Sequence, residues 1–343
     1  MLKVGITGIG FMGMIHYLAY QNLPGVEVVA FCEKYNQDRL KGDWTTIKGN
    51  FGPQGTMMDM SKFACYTELD DMLADPNVDI VDICLPPNQH AEATIRALKA
   101  GKHVFCEKPI SLSSDEGAAM VQAAEESGKM LNIGHVLPFF PAYDYLVEAK
   151  KSGKWGKLLG GSFSRVTEVP KWLPNYWKMD ICGGPMLDLH IHDAHFIRYF
   201  FGMPHTIQSV GRCQNGDAPE YFQSQFLYDD PELVVTATSG VIRQSGRPFT
   251  FGFEVHFEKA TVLCDLFMNM PLTVLHEDGS IEKPELPAGT DTLPFEMEIA
   301  EVLRSVESGV KSEKLDGSLA SDALLICHKE IEAVLTRKPV AVK

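Results

Sequence analysis

The chain has 343 residues, 45 % of them apolar and 22 % charged, and a formal net charge of −14. That length accommodates two domains with separate cores, and the acidic balance speaks against nucleic acid or an anionic membrane as the main partner. No apolar run approaches the ~18 residues of a membrane span, and a strand beginning at residue 2 leaves no room for a signal peptide.

The first elements in the chain carry the strongest signal. Leu2-Lys3-Val4-Gly5-Ile6-Thr7 reads as a buried strand, and Gly8-Ile9-Gly10-Phe11-Met12-Gly13 as a G-x-G-x-x-G turn that opens a helix. The first glycine permits the tight turn, the second lets backbone approach a pyrophosphate, and the third allows close helix–strand packing. Free N–H groups at the helix start, around Phe11 and Met12, would hold the phosphates. A second strand, Glu27 to Cys32, ends at Glu33, where a ribose 2′-hydroxyl needs an acceptor. NAD is therefore the expected cofactor. NADP is less favoured, because Glu33 repels a 2′-phosphate, although Lys34 beside it softens that preference.

Residues 41–62 hold several glycines and Met57, Met58 and Met60, and read as an insertion that packs its methionines on the surface rather than as a flap over the cofactor. Val78–Leu85 reads as a central strand stopped by Pro86-Pro87, followed by a helix through Ala91–Ala100. The strand His103–Cys106 runs into Glu107-Lys108-Pro109, Ser113 or Ser114 caps the next helix, and Met130–Val136 closes the alternating pattern. Such alternation predicts a doubly wound parallel sheet over residues 1–136. Ligands of such sheets bind beyond the carboxyl ends of the strands, which makes Pro86, His90, Glu107 and Lys108 candidate cofactor contacts. Lys108 can also donate to a substrate hydroxyl.

From about residue 155 strand-like runs follow one another: 157–168, 206–214, 220–229, 232–243, 248–258 and 261–267. Two helices, near 293–308 and 318–336, close the chain. The fold class expected is α/β: an N-terminal Rossmann domain (1–136) and a C-terminal α/β domain (137–343) with an open, mainly antiparallel sheet. The eight cysteines show no C-x-x-C pair, so neither structural zinc nor a disulfide framework is expected, and a reducing cytoplasm is the expected compartment.

Asp188-Leu189-His190-Ile191-His192-Asp193-Ala194-His195 follows Gly183-Gly184-Pro185 and reads as a helix that is apolar nearly all round, hence buried. At 100° per residue Asp188, His192 and His195 share one face. A buried stripe of this kind is costly unless used, and Asp188 with His192 is the preferred acid–base pair. His190 points elsewhere and is read evenly as structural or functional. A metal on Asp188, His192 and His195 lacks a clear fourth ligand, and none is expected. Upstream, Trp172 and Tyr176 in an aromatic-rich segment suit a sugar ring, with a hydrophobic plug as the alternative. Asn132 and His135 could also face the cleft.

These blocks together resemble the glucose–fructose oxidoreductase / inositol dehydrogenase / rhizopine-catabolism (Gfo/Idh/MocA) family over essentially the whole chain. The resemblance rests on the glycine fingerprint, the E-K-P tripeptide, the Gly-Gly lead-in to D-x-x-x-H, and the last helix before Arg337-Lys338-Pro339-Val340. It implies that Lys108, Asp188 and His192 act on a secondary hydroxyl of a sugar, sugar derivative or cyclitol. It also implies that the C-terminal sheet mediates a homodimer or homotetramer. Many relatives carry glycine where His190 stands, an acid where His195 stands, and arginine in the segment beginning at His135; these departures bear on the substrate. The resemblance also admits NAD-assisted glycoside cleavage with a recycled cofactor, and a catalytically silent sensor.

Overall fold

The computed structural model describes residues 1–342 other than 50, 172, 174, 215, 216, 267, 290 and 291. The chain divides into two compact units, residues 1–139 with 288–321 and residues 140–287 with 322–343.

In the first unit β1 (Leu2–Thr7), α1 (Phe11–Tyr20), β2 (Val26–Cys32), β3 (Ala64–Tyr66), α2 (Leu69–Ala74), β4 (Ile80–Ile83), α3 (His90–Lys99), β5 (His103–Glu107), α4 (Ser114–Ser127) and β6 (Leu131–Gly134) follow in order. The six strands pair in parallel in the order β3-β2-β1-β4-β5-β6. This is the Rossmann order, with its switch point between β1 and β4. Every residue of β4 is buried, as strands covered on both faces require. Ser113 is the cap of α4, its Oγ accepting the Glu116 N–H at 3.2 Å.

The insertion is packed chiefly by Trp44 rather than by its methionines. Trp44 is 1 % exposed and meets Tyr17 and Phe31 edge to face. Ile47 and Met60 are buried beside it in the chain, while Met57 is exposed.

The second unit begins with α5 (Pro141–Ser152) and β7 (Leu158–Glu168), then a π-helical turn (Met186–His190) leading into α6 (Ile191–Phe201). The strands β8 (Thr206–Gln214), β9 (Ala218–Leu227), β10 (Val234–Ile242), β11 (Thr250–Phe257), β12 (Ala260–Asp265), β13 (Met270–His276) and β14 (Ile281–Glu282) follow. After α7 (Leu293–Ser308) and α8 (Gly317–Thr336), β15 (Val340–Ala341) completes the sheet in the order β14-β13-β12-β11-β7-β10-β9-β8-β15. The sheet is mixed: β7 and β10 pair in parallel and their neighbours antiparallel. Alternating burial along β9 and β12 shows one face turned to a core and one away from it.

Residues 288–321, assigned from the sequence to the second domain, pack with the first unit. The reason lies in α7, whose buried Phe295 stacks on Phe51 at 5.4 Å between ring centroids and lies 6.4 Å from the His16 ring of α1. Asn132, read as a cleft residue, is 2 % exposed and donates to Ser305 Oγ of α7 at 3.0 Å. It fastens this returning helix to β6.

Candidate active site

The glycine turn of the first unit has the three properties that a dinucleotide requires. Gly8 sits at φ +89°, where a Cβ would lie 2.6 Å from the Cys84 carbonyl oxygen. A Cβ on Gly13 would meet the Gly8 carbonyl oxygen at 2.2 Å, so α1 and β1 approach as closely as glycine allows. At Gly10, which precedes α1, a Cβ would find no atom within 4 Å. Constraint at the outer glycines and open space at the middle one fit a pyrophosphate laid across Phe11 and Met12.

Glu33 stands at the end of β2, 7 % exposed. Its Oε2 accepts the Ile9 N–H, and its Oε1 accepts those of Tyr35 and Asn36, each at 3.0 Å. The carboxylate is thus held rigidly against the glycine turn. Lys34 turns instead to Glu68 at 2.9 Å.

His90 opens α3 fully buried, with Nδ1 2.7 Å from the Pro109 carbonyl oxygen and Nε2 2.8 Å from that of Leu85. Burial pushes this imidazole below its ordinary value against the pull of both carbonyls. The ring ties the turn at Pro86 to the E-K-P turn. Pro86 itself is exposed, Lys108 is half-buried after β5, and the Lys108–Pro109 peptide is cis. Glu107 is buried; its Oε2 accepts the Lys108 N–H at 3.1 Å and its Oε1 meets His16 Nε2 at 3.1 Å. His135, just beyond β6, is fully buried.

In the second unit the π turn changes the helical arithmetic. A π turn takes one residue more than an α turn, so 100° per residue does not hold across Met186–His190. Asp188 and His192 are half-buried, whereas His195, expected beside them, is 0 % exposed. Three further charged or ionisable side chains of this stretch have partners in other elements. Asp193 takes a two-pronged contact from Arg165 of β7, Nε at 2.7 Å and Nη2 at 3.0 Å. Arg198 reaches Asp322 at 2.8 Å. His190 Nε2 lies 3.0 Å from Glu330 Oε1, both side chains fully buried. Of the two roles left open for His190, the structure shows a structural ion pair.

That pair sets a pH dependence. Burial pushes His190 down, but the Glu330 charge and hydrogen bond outweigh it, so its net shift is upward from 6.5. A raised folded-state value gives stability that is complete below the unfolded value of about 6.5 and is lost as pH rises through the folded value. We expect the thermal midpoint to fall as pH rises above about 6.5, and His190→Gln to be less stable in acid and to fall less steeply. A wild-type midpoint that is flat or rises over that range would contradict this.

Trp172 lies outside the described residues. Tyr176 is 2 % exposed and packs with Leu189 and Val241, flanked by Trp177 and Cys182. Its ring offers no open face to a sugar. Its phenol is pushed well up, first by burial and then by the Asp188 charge.

The sequence reading passed over His16, Asp82 and Glu298, all fully buried in the first unit. A histidine inside the apolar run of α1 and an aspartate inside β4 were the available signals. Among the described residues, the one group of three whose ligating atoms converge is His16, Asp82 and Cys84, not Asp188, His192 and His195.

A parallel sheet in this order, opened by this glycine turn, defines a dinucleotide-binding protein. The chain belongs to the Gfo/Idh/MocA oxidoreductase family: residues 2–135 match its oxidoreductase, NAD-binding Rossmann-fold model, and residues 143–263 its C-terminal domain model. Among curated relatives, myo-inositol 2-dehydrogenase of Thermotoga maritima is 30 % identical over 59 % of this chain and 55 % of its own length. A 2,7-anhydro-N-acetylneuraminate hydratase of Escherichia coli K12 is 28 % identical over 62 % of this chain and 53 % of its own. The matched stretches thus span about half the length of these relatives. A levoglucosan dehydrogenase solved with NADH and levoglucosan has the same fold, with a TM-score of 0.82 at 19 % identity and 99 % of both chains covered. Among the described residues, no helix is long and apolar enough to cross a membrane.

Proposed function

We propose that this protein oxidises a secondary hydroxyl of a sugar, sugar derivative or cyclitol, with NAD as hydride acceptor. The observation that carries this reading is the π-to-α junction of the second unit. There Asp188 and His192 are half-buried between chain neighbours that are buried. His192 takes the hydroxyl proton as the carbinol carbon gives up its hydride, and a carbonyl remains. Asp188 orients the imidazole and the hydroxyl. Lys108, at the carboxyl end of β5, donates to the same oxygen and stabilises the charge that develops on it. NAD, when bound, supplies the hydride acceptor; Gly8, Gly10 and Gly13 shape its cradle, and Glu33 faces its ribose. The relatives named for inositol and levoglucosan support a polyol substrate.

Glu33 also supports NAD over NADP, since a 2′-phosphate would face a rigid carboxylate and Lys34 is engaged with Glu68. The test is absorbance at 340 nm with either cofactor and a panel of sugars, cyclitols and glycosides. A rise with one substrate class, with NAD favoured by about tenfold or more (1.4 kcal/mol or above), is the expected result. Glu33→Ala should narrow that preference. Equal use of NADP by the wild type would refute the role of Glu33.

The hydratase relative favours a second reading, in which the hydride returns to the product and NADH does not accumulate. Product formed with no net change at 340 nm would select it. On the exposed face of the nine-stranded sheet, Val210, Tyr221 and Val234 are 69, 39 and 57 % exposed, which supports pairing with a second copy of this chain there.

A further inference from the structure

Next to the E-K-P turn lies a cluster of ionisable groups that the proposed chemistry leaves unused. His16 of α1 is 0 % exposed. Its Nδ1 lies 3.1 and 2.9 Å from the two oxygens of Asp82, and its Nε2 lies 3.1 Å from Glu107 Oε1. The ring stacks on Phe105 of β5, centroids 5.0 Å apart and planes at 13°. Cys84 Sγ stands 3.4 Å from Nδ1. Tyr20 of α1, Cys106 of β5 and Glu298 of α7 are further titratable neighbours, and His90 and Lys108 also act on Glu107; neither Glu298 oxygen has a hydrogen-bond partner among the described residues.

A neutral imidazole has one N–H and can donate to one acceptor; an imidazolium has two. Here both ring nitrogens face buried carboxylates. Leaving either carboxylate as an unpaired buried charge is strongly destabilising, so the geometry calls for a doubly protonated ring. A bound cation explains the contacts less well. Ligands about 2.0–2.2 Å from a tetrahedral zinc stand roughly 3.3 Å or more apart, and His16 Nδ1 is only 2.9 Å from Asp82.

We infer that His16 is a positioning residue: a permanently protonated imidazole that clamps Asp82 and Glu107 and, through Glu107, fixes the Lys108 amide and the setting of the Lys108 side chain. What Lys108 then does rests on the function proposed above. The clamp would hold α1, which begins at the glycine turn, in one relation to β5, which ends at Glu107 just before Lys108. Cofactor cradle and lysine are thereby held in register. The charges act in the same sense. Burial alone would lower His16, but Asp82 and Cys84 raise it well above its ordinary value. Burial alone would raise Glu107, but His16, and after it Lys108, hold it below the usual range. Glu298 is driven well up, by burial and then by Glu107.

The test uses the full-length protein. The ¹⁵N shifts of the His16 ring should report an imidazolium throughout pH 6 to 9 (the window around the ordinary histidine value of about 6.5). A ring that titrates as a free histidine would overturn the clamp. In His16→Gln, exchange of the Lys108 amide should quicken by at least about tenfold while amides of β4 keep their protection. The value of kcat should fall about ten- to a hundredfold with KM and NADH affinity little changed, and His16→Lys, which restores a cation, should recover part of the loss. Unchanged exchange and unchanged kcat would reduce the cluster to a fold staple. Should His16→Gln fail to fold, Asp82→Asn with the ring in place is expected to lower the His16 protonation midpoint, and an unmoved midpoint overturns the clamp. If the wild type turns over no polyol, the function proposed above fails, and the ring shifts and amide exchange still decide the clamp.

Discussion

His192→Ala is expected to lower kcat by about 10²–10⁴-fold, the range that a positioned general base contributes, with NADH affinity retained. The reason is geometric. His192 is half-buried near the start of α6, just after the π turn, and is not among the buried residues of that helix. Its removal leaves Phe196, Ile197 and Phe200 packed and the Arg165–Asp193 pair intact. Stability should therefore change little, and the loss should appear in turnover. Stopped-flow absorbance at 340 nm with a saturating polyol measures it, beside a fluorescence titration with NADH. Asp188→Asn should cost less, because it keeps the shape and a hydrogen-bonding group while removing the charge proposed to orient the imidazole. Wild-type turnover in His192→Ala would remove this residue from the mechanism.

Gly13→Ala is expected to weaken NADH binding by roughly ten- to a hundredfold, which corresponds to about 1–3 kcal/mol of overpacking. The added Cβ would stand 2.2 Å from the Gly8 carbonyl oxygen. That atom is backbone in a turn at φ +89°, and Gly8 in turn abuts the Cys84 carbonyl, so no side-chain rotation relieves the contact. The turn would have to open, and the N–H groups around Phe11 and Met12 would no longer be placed for the pyrophosphate they are proposed to hold. Gly10→Ala makes the contrast, since its Cβ meets no protein atom within 4 Å; its fold should keep wild-type stability while cofactor affinity drops. Titration of NADH fluorescence and thermal unfolding of both variants separate the two roles. Equal NADH affinity in Gly13→Ala and wild type would show that the turn tolerates what its geometry forbids.

Much of this molecule is legible in the sequence where the signal is local. The glycine turn, the alternation of β1 to β6, and the succession of strands after residue 155 each follow from short-range pattern. The place of Lys108 just past a strand end was legible because an apolar strand stops at the E-K-P turn; its role belongs to the proposal. The half-buried setting of Asp188 and His192 was legible in their being polar interruptions of an apolar stretch; their roles belong to the proposal. What escaped depends on distance or on departures from ideal geometry. The three-residue stripe assumed a uniform α-helix from Asp188 on, whereas the π turn at Met186–His190 shifts Asp188 relative to the two histidines of α6, of which His195 is buried. The partners of His16 lie 66 and 91 positions away, at Asp82 and Glu107, so no local window contains the ion pair. The return of α7 to the first unit is equally silent, because an amphipathic helix names the face it buries and not its partner. The aromatic segment misled for a related reason: Tyr176 carries the composition of a sugar platform but is enclosed by Leu189 and Val241.

The most direct test of the central claim follows the hydrogen itself. A polyol that supports turnover, deuterated at the reacting carbinol carbon, is mixed with NAD and the protein, and the recovered nicotinamide is examined by mass spectrometry and NMR. The account predicts deuterium at the nicotinamide C4 position, with a matching carbonyl in the product. Deuterium that appears in solvent, or that stays on the substrate carbon while product forms, would contradict it.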